Sequence, residues 1–238
     1  MRAGSRVVAV VQARTGSSRL PGKVLADIGG QTVLGLLLGR LGSASEVQEV
    51  VVATSDQAAD DAVATVAAAA DVPVLRGPLD DVLERYRLAG ERHGADAVVR
   101  VTGDCPLIDP AVVDAVVARW RRGGEQYVAN IIEPRTFPDG MDTEVIAWPT
   151  LVDAAAAATD PSDREHVTPF IRAHPERYPQ AGVYLRPACG ELRVTLDTAQ
   201  DLEQLRDLVR RLGTSVGLLE IMQALGQPAR ALQVLDSP

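Results

Sequence analysis

The chain has 238 residues, 46% of them hydrophobic, and a formal net charge of −8. That length suits one α/β domain or a domain with a small appendage, and the apolar share is ample for a core, which excludes disorder as the default. A net anion excludes broad affinity for nucleic acid or for an anionic membrane, so a phosphate site has to be a local basic pocket.

A polar, basic start from Met1 to Arg6 precedes an apolar run of five residues, Val7 to Val11. The run is too short for a spanning helix or a signal segment, so the protein reads as soluble and unprocessed, and its continuity predicts a fully buried strand. It gives way to a loop holding Arg14, Thr15, Gly16, Ser17, Ser18, Arg19, Pro21, Gly22 and Lys23. Small residues let a loop turn its N–H groups onto an anion, while two arginines offer forked donors and the lysine a point charge. Polyphosphate is the guest this pattern predicts. A Walker A loop is disfavoured, because five residues separate Gly16 from Gly22 and Val24 follows Lys23. The competing reading is a solvated surface loop, against which stand three cations close to a buried strand's end in an acidic chain.

Val33 to Leu41 reads as a buried helix and Val50 to Ala53 as a strand, completing a βαβ unit. Thr54, Ser55 and Asp56 follow at the strand's end, and they read equally as a cap for the helix patterned by Ala58, Ala59, Ala62, Val63, Val66 and Ala67. Val72 to Leu75 is a short strand. Arg76-Gly77-Pro78 then turns into a helix that Asp80 or Asp81 caps and Gly94 closes. The strand Ala97 to Thr102 ends in Gly103-Asp104-Cys105-Pro106, and Asp109-Pro110 opens a helix to Trp120. Strands alternating with helices imply a largely parallel sheet.

From Tyr127 the rhythm changes to a short strand, a loop rich in Pro and charge (Glu133 to Asp142) and a strand from Thr143 to Ile146. The expected organisation is one domain over 1–238 with an insertion at about 131–180 for an acceptor or a dimer contact. Helices are expected at Leu151 to Ala158 and, behind a Ser162-x-x-Glu165 capping box, at Asp163 to Ala173 with an interruption at Pro169. Val183 to Leu185 and Leu192 to Leu196 read as strands, Thr198 as the cap of a long helix that Gly213 stops, and Val216 to Leu225 as a weak helix. Cys105 and Cys189 have no metal-ligand spacing and make no disulfide framework, so a reducing, cytoplasmic compartment is the simplest.

Asp104 and Asp197 each directly follow a predicted buried strand. Ligands of open α/β sheets bind at the carboxyl ends of the strands, where the cationic loop also lies, and Mg²⁺ is typically held by one or two carboxylates plus substrate phosphate oxygens. The two aspartates are therefore a candidate metal pair, and each also reads as an ordinary turn or cap residue. Cys105 reads as a small residue packed under the loop, since no base is placed by sequence to activate its thiol.

ARTGSSRLPGKVL (13 to 25), ATSD (53 to 56), VTGDCPLID (101 to 109) and TLDTAQDLEQL (195 to 205), in this order, resemble the cytidylyltransferase family of sugar activation. RGPLDDVLERY, FPDGMDTEV and DREHVTPFI look most like its spore-coat polysaccharide branch, which is related to the 3-deoxy-manno-octulosonate and acylneuraminate enzymes. The resemblance implies a Rossmann-like nucleotidyltransferase sheet, use of CTP and Mg²⁺, and a homodimer. It implies triphosphate binding by Arg14, Ser17, Arg19 and Lys23 and metal binding by Asp104 and Asp197, with Arg14, Arg19, Lys23 and the two aspartates catalytic. Nucleotide contacts are expected from Ala13, Arg14, Thr15, Gly16, Ser17, Arg19, Lys23, Thr54, Ser55, Asp56, Arg76, Thr102 and Asp104, and acceptor contacts from Asp139, Glu144, Arg164 and His166. The implied reaction moves CMP from CTP to a sugar, acidic sugar or related acceptor and releases pyrophosphate. Two rivals remain at this point, a glycosyltransferase using a nucleotide sugar and a non-catalytic nucleotide-binding protein. Three cations for a terminal triphosphate weigh against the first, and pyrophosphate release separates the second.

Overall fold

The computed structural model describes residues 2 and 4–238, so the polar start lies partly outside the described residues. A seven-stranded sheet runs in the order β5-β4-β1-β6-β8-β7-β9. These strands are β1 (Val7–Gln12), β4 (Glu49–Ser55), β5 (Val74–Gly77), β6 (Ala97–Thr102), β7 (Tyr127–Ala129), β8 (Glu144–Ala147) and β9 (Gln180–Gly182). β1 lies parallel between β4 and β6, with Val10 opposite Val51 on one side and Val11 opposite Val101 on the other. A strand flanked on both edges and covered on both faces has no polar side, which is why Val7 to Val11 are all fully buried. At about 1.5–3 kcal/mol per buried valine, its four valines contribute substantially to the core.

Alternate residues of β1 serve two cores. Val7, Ala9 and Val11 join the cluster built with α1 (Val33–Leu41), α4 (Pro110–Arg121) and α8 (Ala199–Leu212). Val8 and Val10 face α3 (Val82–Arg92) and α5 (Trp148–Ala157). Helix starts follow cap chemistry: Thr32, Asp81, Asp109 and Thr198 each accept a hydrogen bond from a first-turn N–H.

The parallel order ends at β6, where β8 and then β7 pair antiparallel and β9 runs parallel to β7. Two ribbons lie off the main sheet, β2 (Asp27–Ile28) with β3 (Gln31–Thr32) and β10 (Tyr184–Arg186) with β11 (Gln233–Leu235). The remaining helices are α2 (Asp61–Ala69), α6 (Pro161–His166), α7 (Pro169–Ala173) and α9 (Leu218–Ala224). No helix among the described residues is long and apolar enough to cross a membrane.

Four expectations are corrected. The strand placed at Val72 to Leu75 is β5, shifted to include Arg76 and Gly77, because Thr54 and Ser55 continue β4 and pair with them. Leu192 to Leu196 is extended but joins no sheet: Val194 N–H donates to the Asp139 carbonyl at 2.7 Å and Leu196 N–H to the Asp104 carbonyl at 2.8 Å. The capping box at Ser162 is not the one used, since Asp160 accepts from Ser162 N–H at 2.8 Å and Pro161 opens α6. Pro169 does not interrupt a helix but starts α7, after the chain turns at Val167 with φ of 71°.

Candidate active site

The carboxyl ends of β1 and β6 form the floor of a cleft of about 460 Å³, lined on one side by the loop after β1 and on the other by Asp104, Asp197 and α6. The loop is tied down at both ends. Gly22, at φ of 71°, donates its N–H to the Thr15 carbonyl at 2.9 Å and closes the turn. Thr15 in turn donates its N–H and its hydroxyl to the buried Asp60 at 2.7 and 2.8 Å, and Ser55 donates its hydroxyl to the other oxygen of the same carboxylate. Burial pushes the Asp60 carboxyl up, but the hydrogen bonds from Ser55 and Thr15 outweigh it and hold the group below its ordinary value.

Asp104 stands one residue beyond β6. Gly103 allows this, because its N–H donates to the Gln12 carbonyl at 2.8 Å and a Cβ there would lie 2.9 Å from that oxygen. Asp197 is set by the cap of α8: the Asp201 carboxylate accepts from the N–H groups of Asp197 and Thr198, and Thr198 Oγ1 accepts from Asp201 N–H. The Lys23 ammonium sits between the two acids, 2.7 Å from Asp104 Oδ2 and 2.9 Å from Asp197 Oδ1, and also donates to the Leu196 carbonyl at 2.8 Å. Arg19 reaches Asp197 at 2.9 Å. Burial alone would pull Lys23 down, yet the two carboxylates raise it above its ordinary 10.5. Asp197 is pushed up by burial and brought below its usual range by Lys23, Arg193 and Arg19.

Two carboxylates converging on one ammonium show that they can share one cation. Among the described residues no cluster of three or more His, Cys, Asp and Glu side chains is arranged around a metal. A hard divalent ion fits such a pair only with its remaining positions filled by water and substrate oxygens, which is the usual arrangement for Mg²⁺ with phosphates.

The structure brings Ala13, Arg14, Gly16, Ser17, Arg19, Lys23, Thr102, Asp104, Asp197 and His166 to the cleft. Thr15 serves from behind through Asp60. Others lie elsewhere. Thr54 and Ser55 are buried in β4, Asp56 borders a separate groove, and Arg76 pairs with Asp61 and donates to the Ser55 and Gln57 carbonyls. Of the residues expected at an acceptor, Glu144 is fully buried between Arg100 and the Tyr127 hydroxyl. Arg164 is turned outward to Asp81 at 2.6 Å and to the carbonyls of Ala155 and Ala158 at 2.9 Å. Asp139 is paired with Arg193. The Cys105 thiol is buried, and burial together with the nearby Asp104 raises its pKa well above the ordinary value, so no thiolate is available for attack.

Cleft residues not among the expected site residues include Gln12, Val82, Arg85, Arg100 and Glu165, the last of which meets Arg14 at 2.9 Å. Arg100 did carry a signal, a charge in the middle of the apolar run Val98 to Val101.

A model of a family described as cytidylyltransferase matches residues 8–227. The spore coat polysaccharide biosynthesis protein SpsF of Bacillus subtilis (strain 168) is 32% identical over 216 residues, covering 87% of this chain and 88% of that protein. A 3-deoxy-manno-octulosonate cytidylyltransferase of Anaeromyxobacter sp. (strain Fw109-5) is 30% identical over 213 residues, covering 85% and 84%. Among solved structures, a cytidylyltransferase from Leptospira borgpetersenii serovar Hardjo-bovis (strain JB197) superposes with a TM-score of 0.87 at 31% identity, over 95% of this chain and 99% of that one.

Proposed function

The chain belongs to the cytidylyltransferase family, a family of CTP-dependent enzymes, and from that premise we propose that its cleft transfers CMP from CTP to a sugar or acidic-sugar acceptor. An acceptor hydroxyl oxygen attacks the α-phosphorus, the bond from that phosphorus to the oxygen bridging it to the β-phosphate breaks, pyrophosphate leaves with that oxygen, and the hydroxyl proton passes to solvent. The observation that carries this reading is the meeting of Lys23 and Arg19 with Asp104 and Asp197 at the mouth of a small-residue loop.

In this assignment Arg14, Ser17, Arg19 and Lys23 bind the triphosphate, with the N–H groups of the loop Ala13 to Gly22. Asp104 and Asp197 would hold Mg²⁺, which when bound would supply charge stabilisation on the phosphate oxygens. Lys23 and Arg19, which stand at the acid pair, would neutralise the charge that grows on the leaving pyrophosphate. Fixed cations in a partly closed cleft stabilise the transition state more than water does, so positioning and electrostatics account for the catalysis. His166 and the neighbouring end of α6 face the acceptor, since His166 lines the cleft. Glu144, Arg164 and Asp139 shape that side through their internal pairs.

The same proposal covers a single domain whose 131–180 segment serves the acceptor and a homodimer contact, the latter resting on the family resemblance. Two unpaired, buried cysteines support a reducing, cytoplasmic setting. A pyrophosphate-release screen crossing the four NTPs with acidic sugars and sugar phosphates tests the reaction. Release with CTP and one acceptor class is the expected result, and no release with CTP under any pairing overturns it.

A further inference from the structure

Among the described residues, Arg40 and Arg100 have carbonyl or carboxylate partners in the interior, although Arg100 Nε is itself unpartnered, and Arg85 has no such partner at all. Arg40 donates to the carbonyls of Leu107, Ile108, Thr214 and Val216, and Arg100 pairs with Glu144. Arg85 is only 1% exposed, yet its Nε and Nη1 have no hydrogen-bond partner, and among the described residues no carboxylate lies within ion-pair distance of its guanidinium. Its side chain borders the cleft beside Gln12, Arg14 and Val82.

A guanidinium removed from water with no counter-charge costs several kcal/mol of the folding energy, by order of magnitude, and a chain that needed only bulk there would be served by Met or Leu. The position is also prepared by its neighbours. Gly77 leaves room for it, since a Cβ on Gly77 would lie 3.0 Å from Arg85 Cγ, and the side chain springs from α3, a rigid element. Burial lowers the arginine's pKa from its ordinary value; Tyr86, Asp60 and Asp81 offset this in part, and the like charge of Arg14 adds to it.

We propose that Arg85 is a substrate-binding residue whose guanidinium, at the border of the cleft and without an ion-pair partner, receives an oxyanion of a bound substrate. This rests on the cytidylyltransferase reading, which offers two sources of that chemistry, the α-phosphate of the nucleotide and the carboxylate of an acidic-sugar acceptor. The cation is a different one from those of the β1 loop. Those cations are already answered by carboxylates, Arg14 by Glu165 and Lys23 and Arg19 by the acid pair, whereas Arg85 is answered by nothing until the ligand arrives.

The test is Arg85→Met, which keeps the volume and removes the charge, with melting temperature and calorimetric binding measured together. Expected is an unchanged or higher melting temperature, cytidine binding unchanged, and either CMP affinity or the KM for 3-deoxy-manno-octulosonate worsened by about tenfold or more. Loss confined to CMP assigns the nucleotide phosphate, and loss confined to the acidic sugar assigns the acceptor carboxylate. A variant that binds CMP and turns over the sugar as the parent does overturns the proposal, whatever its melting temperature. Should the Met variant not fold, Arg85→Lys replaces it. A weakened affinity at a melting temperature within a few degrees supports the assignment, and an unweakened one overturns it. The CMP-against-cytidine comparison needs no turnover, so it stands even if the pyrophosphate screen fails.

Discussion

Asp60 shows how one buried carboxylate fixes the geometry of a loop that it does not belong to. It accepts from Thr15 twice and from Ser55, so Asp60→Asn exchanges an acceptor-only group for one that must also present donors. The expected cost is about 2–3 kcal/mol of stability with a several-fold loss of CTP affinity, checked by denaturant titration and calorimetry. The pH dependence has a definite sign. Because the folded pKa lies below the ordinary 3.8, the Asp60 contribution is complete above that value and fades as the pH falls through the depressed one, and Asp60→Asn removes that part of the acid limb. At the acid pair, Asp104→Asn or Asp197→Asn is expected to leave a folded protein with turnover lower by about a hundredfold or more. Arg19→Ala is expected to weaken CTP far more than CMP, since Arg19 is assigned to the outer phosphates; equal losses would remove that assignment.

At the scale of elements, α6 is the piece that joins the two halves of the cleft. Arg164 anchors it to Asp81, the cap of α3, and to the end of α5, while Glu165 reaches across to Arg14. Arg164→Ala is therefore expected to lower stability by about 1–2 kcal/mol and to raise the acceptor KM, because the helix carrying His166 loses its seat. Glu165→Gln leaves α6 anchored but frees Arg14, so CTP affinity should rise a few-fold at low salt and converge on the parent value as salt increases. The elements that were legible in advance are those where local chemistry and packing agree. Val33 to Leu41 and Ala97 to Thr102 have the bounds their apolar patterns gave, and Asp109-Pro110 caps α4 as its signature requires. Where a tertiary partner decides, the pattern misled. Leu192 to Leu196 has a strand's composition, but its hydrogen bonds go to the irregular backbone around Asp139 and Asp104, and Asp160-Pro161 outcompetes the box at Ser162. The site divides the same way. The basic loop and the two aspartates stand at strand ends and could be read; Arg85 sits within a helix whose sequence does not reveal which arginine lacks a partner.

For the molecule as a whole, the sheet's change from parallel to antiparallel at β6 separates two tasks along one set of strands. The parallel half delivers the basic loop after β1, and the antiparallel half, beginning with β8, brings residues 131–180 beside it. The β10–β11 ribbon lies outside this plan, and none of its residues lines the cleft. Deleting residues 233–238 is expected to lower the melting temperature by a few degrees through loss of that pairing while leaving turnover intact. Sedimentation of the same variant, beside the parent, reports whether the ribbon contributes to a dimer.

The Lys23 ammonium between Asp104 and Asp197 means that the resting protein carries its own counter-ion. Folding then does not wait on metal supply: a chelator should leave the melting temperature where it was, and added Mg²⁺ should raise it only when CTP is present, by mass action on the ternary complex. A shortage of divalent metal would leave the folded chain in place, ready when the ion returns.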